Sequence, residues 1–292
     1  MFTFPIPPYK VTKDFPWESK VVDAIFTMTA KYGISYFSNY VNSDLSPEDA
    51  LSMCCRLHLD TLELRKCGGC LFGSNQLTGS IGVVTLNLPR LAYETKNEQQ
   101  FLAKLALLAE FAKQSLEIKR KVIETETERG MYPFSQFSLK EVKQRLGSYW
   151  ANHFSTIGIV GMEEVCLNLF GQKGSLVTQK GQAFALQVLG RFRTSIGEFQ
   201  KETGNFYNLE ATPAEGASYR LALLDKQQYS AIITAGEQVG YYTNSSQLPV
   251  GYTSDLFETL EKQDALQCRY TGGTVLHFYL AQRIADIQGQ SS

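Results

Sequence analysis

Two adjacent cysteines followed by an arginine are the residues in this chain whose types are best suited to chemistry. Cys54 and Cys55 stand directly before Arg56, and a glycine-rich stretch follows at 66–82. A thiol that is partly exposed and close to positive charge has a lowered pKa and becomes reactive. Arg56 and Arg65 can provide that charge. Cysteine is also commonly buried as a small apolar residue, so residue types alone leave both interpretations open.

Cys67 and Cys70 form a second thiol pair with Cys-x-x-Cys spacing. This spacing is typical of a redox pair or of half a zinc site. A tetrahedral zinc site needs two more ligands, but there is no second Cys-x-x-Cys pair, and His58 is the only histidine nearby in sequence. We therefore predict no metal bound by this chain, and an incidental thiol pair in a loop.

The segment 208–216, which reads NLEATPAEG, has the pattern of a strand that delivers the chain to a helix start. With Thr212 as N-cap and Pro213 at the first helical position, the free backbone N–H groups and the helix dipole favour an anion such as phosphate. Thr212 and Glu215 equally match a capping box, in which the Glu215 carboxylate itself occupies the helix end. The spacing leaves these two interpretations open.

Polar side chains also cluster before another predicted strand, at Asn152, His153, Ser155 and Thr156. Polar groups at strand ends of an α/β fold often line a site. They more often satisfy the hydrogen bonds of a turn, and the sequence alone does not separate the two roles.

The elements that position these groups follow from hydrophobic periodicity. Strands are predicted at 33–41, 83–89, 154–162, 206–211 and 268–272. Helices are predicted from Ser46 and Thr212, and at 17–31, 97–128, 163–171, 179–202, 254–264 and 274–284. Strands that alternate with helices indicate an α/β fold with a parallel sheet or an α/β barrel.

Composition excludes several classes of protein. Hydrophobic residues make up 43% of the 292 residues and charged residues 20%, which is typical of a packed globular chain and not of a disordered or fibrous one. The net charge of −1 gives no overall attraction to nucleic acid or to an anionic membrane. We find no signal peptide and no apolar run of membrane-spanning length, so the expected location is the cytoplasm.

Six segments, in order, resemble the large subunit of the anaerobic, class III ribonucleoside-triphosphate reductases, which are glycyl-radical enzymes. They are FPIPPYKVTKDFPW (4–17), MCCRLHLD (53–60), GSIGVVTLNLPRLAYE (79–94), NHFSTIGIVGMEE (152–164), NLEATPAEGASYR (208–220) and YTGGTVLHFYL (270–280). The resemblance covers essentially the whole chain.

The resemblance implies about half of a ten-stranded α/β barrel, with residues 1–292 forming a single partial catalytic domain. In that family a finger loop, which maps to about 42–82, carries a cysteine that becomes a thiyl radical. This radical takes the 3′ hydrogen of the ribose, and the 2′ hydroxyl then leaves as water. The family's cysteine is followed by arginine, which maps it to Cys55, with Cys54 as the alternative.

The resemblance also implies where substrate binds. Segment 208–216 matches the family's phosphate site, so the expected contacts are Thr212, Pro213, Ala214, Glu215 and Gly216. Glu215 is expected both to cap the helix and to face the substrate as a catalytic residue. The match further includes Asn152, His153 and Ser155, which either line the cavity or shape it.

Other parts of the family's enzyme have no counterpart in these 292 residues. The family implies a glycyl radical and a structural zinc site from a C-terminal segment, but no Cys-x-x-Cys and no Arg-Val-x-Gly-Tyr motif follows residue 280. The effector-binding cone is missing as well. We therefore expect this chain to be inactive alone and to need the remaining reductase segments.

The implied partners are a ribonucleoside triphosphate, a radical-SAM activating enzyme, and formate or a thioredoxin-like protein as reductant. Gly79 to Ile81 stand where formate-using members commonly have an asparagine, which favours a thiol reductant. The complete enzyme is expected to be a homodimer. Alternatives are a non-catalytic remnant or assembly subunit, a pyruvate formate-lyase type of glycyl-radical enzyme, and a thiol-redox or metal protein that uses Cys67 and Cys70.

Overall fold

A computed structural model describes residues 8–33, 35–41, 50–52, 58–60, 77–95 and 97–276 of the chain. The described strands are β1 (Pro8–Val11), β2 (Tyr36–Asn39), β3 (Ala50–Ser52), β4 (His58–Asp60), β5 (Ser80–Asn87), β6 (Phe154–Val160) and β7 (Phe206–Glu210). The described helices are α1 (Lys20–Tyr32), α2 (Leu88–Tyr93), α3 (Glu98–Glu128), α4 (Pro133–Ser138), α5 (Lys140–Leu146), α6 (Met162–Phe170), α7 (Gln179–Thr203), α8 (Glu215–Gln228) and α9 (Leu256–Gln267).

A parallel three-stranded sheet with the order β5-β6-β7 lies at the centre of the fold. β1 and β2 form a separate parallel pair, while β3 and β4 pair antiparallel. Helices connect the parallel strands, because a crossover between parallel strands needs more chain than a tight turn provides. The predicted α/β fold class is confirmed.

The two faces of the central sheet have different chemistry. Ile157 and Ile159 of β6, together with Tyr207 and Leu209 of β7, belong to a buried apolar core that includes side chains of α3 and α7. Successive side chains of a strand point to opposite faces. The intervening residues of β6 and β7 therefore lie on the other face, which we call the inner face.

Local sequence signals explain the ends of the long helices. The Asn97 side chain caps α3 by accepting a hydrogen bond from the Gln100 amide, and Thr178 caps α7 in the same way. Gly204 ends α7 in the left-handed conformation that glycine adopts most easily. The predicted helices at 97–128, 163–171 and 179–202 are confirmed within one or two residues at each end.

The structure differs from the predictions at three places. β5 begins at Ser80, earlier than predicted, and Pro89 lies in the first turn of α2 instead of merely stopping the strand. Residues 268–272 form turns and not a strand. Residues 274–276 are not helical, and the rest of the predicted closing helix lies outside the described residues.

The predicted finger loop is described only in part. β3 and β4 flank residues 53–57 in the sequence, with Ser52 paired to His58. Cys54, Cys55, Cys67 and Cys70, like the helix start predicted at Ser46, lie outside the described residues. Among the helices that the structure describes, none combines the length and the apolar composition needed to cross a membrane.

Candidate functional site

Three polar side chains lie close together on the inner face, at the carboxyl end of β7. Asn208 and Glu210 alternate with the core residues Tyr207 and Leu209, and Thr212 follows two residues later. Asn208, Glu210 and Thr212 are all buried. We call these three residues the inner-face cluster.

The inner-face cluster has polar atoms that lack hydrogen-bond partners. Both amide atoms of Asn208, both carboxylate oxygens of Glu210 and the hydroxyl oxygen of Thr212 are buried without a partner in the described structure. Burying a polar group without a hydrogen bond is costly, so each such group in a folded protein calls for an explanation. A cluster of them at the carboxyl ends of parallel strands is typical of a site that binds a polar ligand.

Glu210 is the titratable member of the inner-face cluster. Burial raises the pKa of its carboxyl from the ordinary value of 4.5 to about 7, because desolvation disfavours the charged form. Near neutral pH the protonated and ionised forms are therefore both populated. A carboxyl in this state can donate and accept a proton, which is the requirement for general acid–base catalysis.

Two glycines allow the chain to pack closely around the cluster. A Cβ atom at Gly158, which pairs with Glu210 in the sheet, would overlap the hydroxyl oxygen of Thr212. A Cβ atom at Gly272 would lie 2.8 Å from the Nδ2 atom of Asn208. The Gly272 amide donates to the Leu209 carbonyl at 2.7 Å. The segment predicted as a strand at 268–272 thus lies along the edge of β7 although it is not itself a strand.

The turn from β7 into α8 differs from the predicted capping box. α8 begins at Glu215, its N-cap is Ala214, and no side chain caps it. Thr212 is therefore not the N-cap, because its hydroxyl lies against Gly158 on the inner face. Glu215 is exposed in the first turn, and the following Gly216 is exposed as well. Without a side-chain cap, the N–H groups of the first turn stay available to an anion.

A buried loop that includes Thr243 and Ser245 crosses the carboxyl end of β6 beside this turn. Glu164, at the start of α6, accepts hydrogen bonds from the amide and the hydroxyl of Thr243, at 3.1 and 2.8 Å. Burial raises the pKa of the Glu164 carboxyl to about 7, and these hydrogen bonds oppose that rise. Ser245 Oγ donates to the carbonyls of Ile159 and Thr212, at 3.3 and 3.5 Å. The loop therefore holds the Thr212 backbone next to β6.

Arg120 organises the opposite, amino end of β6. This buried side chain of α3 donates to the carbonyls of Trp150 and His153, both at 2.7 Å, and to Ser155 Oγ at 3.1 Å. Burial, with a smaller contribution from Arg120, lowers the pKa of His153 to about 4, so its imidazole is neutral at physiological pH.

Asn152 attaches the start of β6 to the residues that precede β5. Its Nδ2 donates to the Leu77 carbonyl at 3.0 Å, and its own carbonyl accepts from Thr78 Oγ1 at 2.5 Å. Asn152 Oδ1 also lies 2.9 Å from His153 Nδ1. The contacts of Asn152, His153 and Ser155 in this structure are thus with protein groups that fix the end of the predicted finger loop.

The predicted site residues fall into two groups. Thr212, Pro213, Ala214, Glu215 and Gly216 stand together beyond β7, whereas Asn152, His153 and Ser155 stand at the other end of β6. The Thr212 hydroxyl lies beside Gly158. With about 3.3 Å per residue in a parallel strand, roughly 10 Å along β6 separate Ser155 from that level, and roughly 16 Å separate His153 from it. The structure does not bring them together, and substrate contact by the second group stays a prediction.

Sequence reasoning missed Asn208 and Glu210 as individual residues. They lie inside the segment 208–216, but the helix start that follows them carries the stronger sequence signal. The signal that could have found them was a polar residue at every second position of a strand whose other residues are apolar, as in Asn208-Leu209-Glu210. Within the described residues, no group of three or more His, Cys, Asp or Glu side chains could hold a metal ion.

Comparison with known proteins gives a consistent result. The family model described as anaerobic ribonucleoside-triphosphate reductase matches residues 1–292. The curated anaerobic ribonucleoside-triphosphate reductase of Haemophilus influenzae is 25% identical over 204 residues, which is 68% of this chain and 29% of that protein. The enzyme of the same name from Enterobacteria phage T4 is 24% identical over 221 residues, 72% of this chain and 34% of that protein.

Solved structures show the same fold. The anaerobic ribonucleotide reductase from Thermotoga maritima, solved with MES in the active site, matches all of this chain and 46% of its own, with a TM-score of 0.71 and 20% identity. The same enzyme in complex with dATP and CTP matches 97% of this chain and 44% of its own, with a TM-score of 0.64 and 21% identity. The chain thus spans about a third or less of those curated relatives and less than half of these solved chains.

Proposed function

The chain belongs to the anaerobic ribonucleoside-triphosphate reductase family, and from that premise we propose that it is the finger-loop and substrate-binding part of such an enzyme. The proposed reaction is reduction of ribonucleoside triphosphates to deoxyribonucleoside triphosphates by thiyl-radical chemistry. The observation that carries the proposal is the inner-face cluster, whose buried polar atoms have no protein partner in the described structure. A ribose ring offers hydroxyl groups that would satisfy them.

In this proposal Cys55 of the predicted finger loop reacts with the substrate. Its sulfur, as a thiyl radical, takes the 3′ hydrogen atom, which forms an S–H bond and leaves the unpaired electron on C3′. The glycyl radical of the complete enzyme would supply the oxidising equivalent for this thiyl radical, by accepting the hydrogen atom of the thiol. Cys54 is the alternative position for the reactive sulfur.

Glu210 is suited to the proton transfers that follow. Loss of the 2′ hydroxyl as water needs one proton, which the protonated carboxyl donates. The proton of the 3′ hydroxyl then returns to the carboxylate as the 3′ ketone forms, so that Glu210 ends in its starting state. The pKa of about 7 supports this role, because both forms are accessible near neutral pH. The reductant, formate or a thioredoxin-like protein, provides the two electrons of the overall reaction.

The triphosphate is proposed to lie at the turn from β7 into α8. The amides of Glu215 and Gly216 belong to the first turn of α8, which has no side-chain cap. The positive end of the helix dipole favours an anion there. Thr212 stands two residues after Glu210 and three residues before Glu215 in the sequence. Its hydroxyl is buried without a partner in the described structure. Glu215 is exposed and can turn away from a bound anion.

Isothermal titration calorimetry of the full chain with CTP and ATP tests the binding part of the proposal. We expect measurable binding of the triphosphates, weaker binding of inorganic triphosphate, and little binding of the ribonucleoside alone. Thr212→Val removes one hydrogen-bonding hydroxyl and is expected to weaken binding about tenfold. Thr194→Val on the exposed face of α7 is the matched control and should leave binding unchanged.

The catalytic part needs the remaining reductase segments. With those present, Glu210→Gln should lower turnover by about 100-fold or more, since general acid–base catalysis typically contributes about 10²–10⁴-fold. Nucleotide affinity should change only slightly, because glutamine keeps the size and the polarity of the side chain. Unchanged turnover in Glu210→Gln would show that another group transfers the protons, and it would leave the proposed role of Cys55 to its own test.

A further inference from the structure

Tyr242 contacts the helix of the proposed phosphate site, α8, at two positions. The Ser218 hydroxyl donates to the Tyr242 carbonyl and accepts from the Tyr242 amide, the latter at 3.1 Å. The Tyr242 hydroxyl donates to Asp225 Oδ2 at 2.8 Å. Ser218 and Asp225 are about 10 Å apart along α8 and lie on nearly the same side of it, at about 1.5 Å and 100° per residue. Two contacts at this spacing fix the direction of the helix as well as its position.

The buried apolar contacts of α8 involve the same residue. Tyr242 is buried in a small cluster with Val160 of β6, Ala222 of α8 and Ile232. The larger core on the other face of the central sheet includes side chains of α3 and α7 but, among the described residues, none of α8. The small cluster around Tyr242 therefore attaches α8 to the end of β6.

The carboxylate that accepts from the Tyr242 hydroxyl is itself joined to the end of β5. Asp225 is buried, and its Oδ2 also accepts from Asn87 Nδ2 at 2.6 Å. The Arg90 guanidinium lies 3.7 Å from Asp225 Oδ1 and balances its charge. Burial and the hydrogen bond to Asp225 raise the pKa of the Tyr242 hydroxyl, so that it stays protonated and donates.

The loop that carries Tyr242 is anchored independently of α8. The Thr243 carbonyl accepts from the Gly161 amide at 2.7 Å, and the Ser245 carbonyl accepts from the Met162 amide at 3.0 Å. Ser245 has a φ of 45°, and it is the only residue besides glycines with a positive φ in the part of the chain that the structure describes. Such a conformation persists only where the surrounding contacts determine it. Tyr242 thus extends to α8 from a fixed segment at the start of α6.

From these contacts we infer that Tyr242 is a positioning residue for the triphosphate, because it holds α8 where the amides of Glu215 and Gly216 meet the phosphates. The inference rests on the proposed function, which places the triphosphate at the first turn of α8. Donors that are already in place bind an anion more tightly than donors that must first be ordered. Tyr242 acts on the phosphates through Ser218 and Asp225 and not by contact.

Calorimetric titration of the full chain with CTP and with inorganic triphosphate tests this role. Tyr242→Phe keeps the ring and removes the hydrogen bond to Asp225. We expect the dissociation constants of both ligands to rise by the same factor, about fivefold, because the affected contacts are those of the phosphates. The binding stoichiometry should stay that of the wild type, whereas partial unfolding would lower the stoichiometry.

Tyr252→Phe is the matched control. The Tyr252 hydroxyl also donates to a carboxylate, that of Glu258, at 2.8 Å, but it belongs to the segment before α9. Its loss should leave both dissociation constants unchanged. Circular dichroism shows that each variant is folded.

A double-variant cycle tests whether Tyr242 acts through Asp225. Asp225→Ala should weaken binding of both ligands, and adding Tyr242→Phe should weaken it no further, because the hydrogen bond between the two side chains is already lost. If Tyr242→Phe weakened binding as much in the Asp225→Ala chain as in the wild type, the hydroxyl would not act through Asp225, and the inference would fall.

Hydrogen–deuterium exchange of the ligand-free chain tests the positioning itself. In Tyr242→Phe the amides of α8 should exchange several-fold faster, while those of α3 and α7 should keep their wild-type rates, because these helices pack in the other core. Unchanged triphosphate affinity or unchanged exchange of α8, in a protein whose wild type binds CTP, would overturn the inference and leave the proposed function standing. A wild type that binds neither ligand would overturn the proposed phosphate site, and the inference with it.

Discussion

At the residue scale, the most informative group is the Glu210 carboxyl, which is buried without a hydrogen-bond partner in the described structure. Its pKa of about 7 exceeds the ordinary value of 4.5, so the folded state holds its proton more tightly than the unfolded state does. Below pH 4.5 the carboxyl is protonated in both states. As the pH rises from 4.5 to about 7 the unfolded state loses the proton first, so the free energy of unfolding falls.

Glu210→Gln should remove this fall. One pKa unit corresponds to about 1.4 kcal/mol, so the carboxyl is expected to cost the protein about 3 kcal/mol of stability above a pH of about 7. Urea unfolding at several pH values between about 4 and 8 measures the effect, with the exposed Glu141→Gln as control. Glu164 contributes a fall of its own in both proteins. Equal pH dependence in the wild type and in Glu210→Gln would show that the pKa of Glu210 is not raised in the folded state.

Arg120 supports a second prediction at this scale. Arg120→Met would leave the carbonyls of Trp150 and His153 without their donor while keeping most of the apolar part of the side chain. Each buried acceptor left unpaired costs about 1–3 kcal/mol, so a loss of about 3 kcal/mol or more is expected. Chemical denaturation measures it, and Arg193→Met on the exposed face of α7 should change stability by less than about 0.5 kcal/mol. A small effect of Arg120→Met would mean that water replaces the guanidinium.

The sequence predicted the segment of the candidate site but not its individual groups. Asn208 and Glu210 were inside the strand predicted at 206–211, yet which face a strand buries depends on what packs against it. The Arg120 contacts join residues 30 to 35 positions apart, from α3 to the start of β6 and the residues just before it. No local pattern around Arg120 indicates such a contact, since a lone arginine in a long amphipathic helix usually faces solvent.

At the scale of elements, Gly158 and Thr212 determine how closely β6 and the turn after β7 approach each other. Gly158→Ala should destabilise the protein by about 1–3 kcal/mol, because the new methyl group overlaps the Thr212 hydroxyl. Thr212→Ala makes room, so the double variant should recover most of that loss. Thermal or chemical unfolding of the four proteins in the cycle measures the coupling. Additive losses would show that the two residues do not compete for the same space.

Helices with strong local signals were predicted well, and elements that depend on distant partners were not. α3 has an Asn97 cap, a core-facing apolar row and no glycine or proline inside, so its ends follow from the sequence. The turn into α8 fits a capping box equally well by sequence. The outcome depends on Gly158, more than fifty residues earlier, which leaves a space for the Thr212 hydroxyl. Residues 268–272 likewise have strand composition, but they contact β7 through only a few hydrogen bonds.

At the scale of the whole molecule, the described strands form three small sheets and no closed barrel. β5 is an edge of the central sheet, and an unpaired edge is a place where another strand can be added. The chain spans less than half of the solved chains to which it is similar. These facts support the proposal that further reductase segments complete the barrel around the inner-face cluster.

The final prediction concerns the assembled enzyme. In a complex of this chain with the remaining reductase segments, Cys55→Ala should abolish reduction of ribonucleoside triphosphates, because alanine has no sulfur atom to carry the thiyl radical. Assembly and nucleotide binding should stay unchanged, as shown by sedimentation and calorimetry. Cys268→Ala, at an exposed position near the end of α9, is the matched control and should keep full turnover. Loss of turnover in Cys54→Ala but not in Cys55→Ala would move the radical to the neighbouring sulfur, and full turnover in both would refute a thiyl mechanism at this loop.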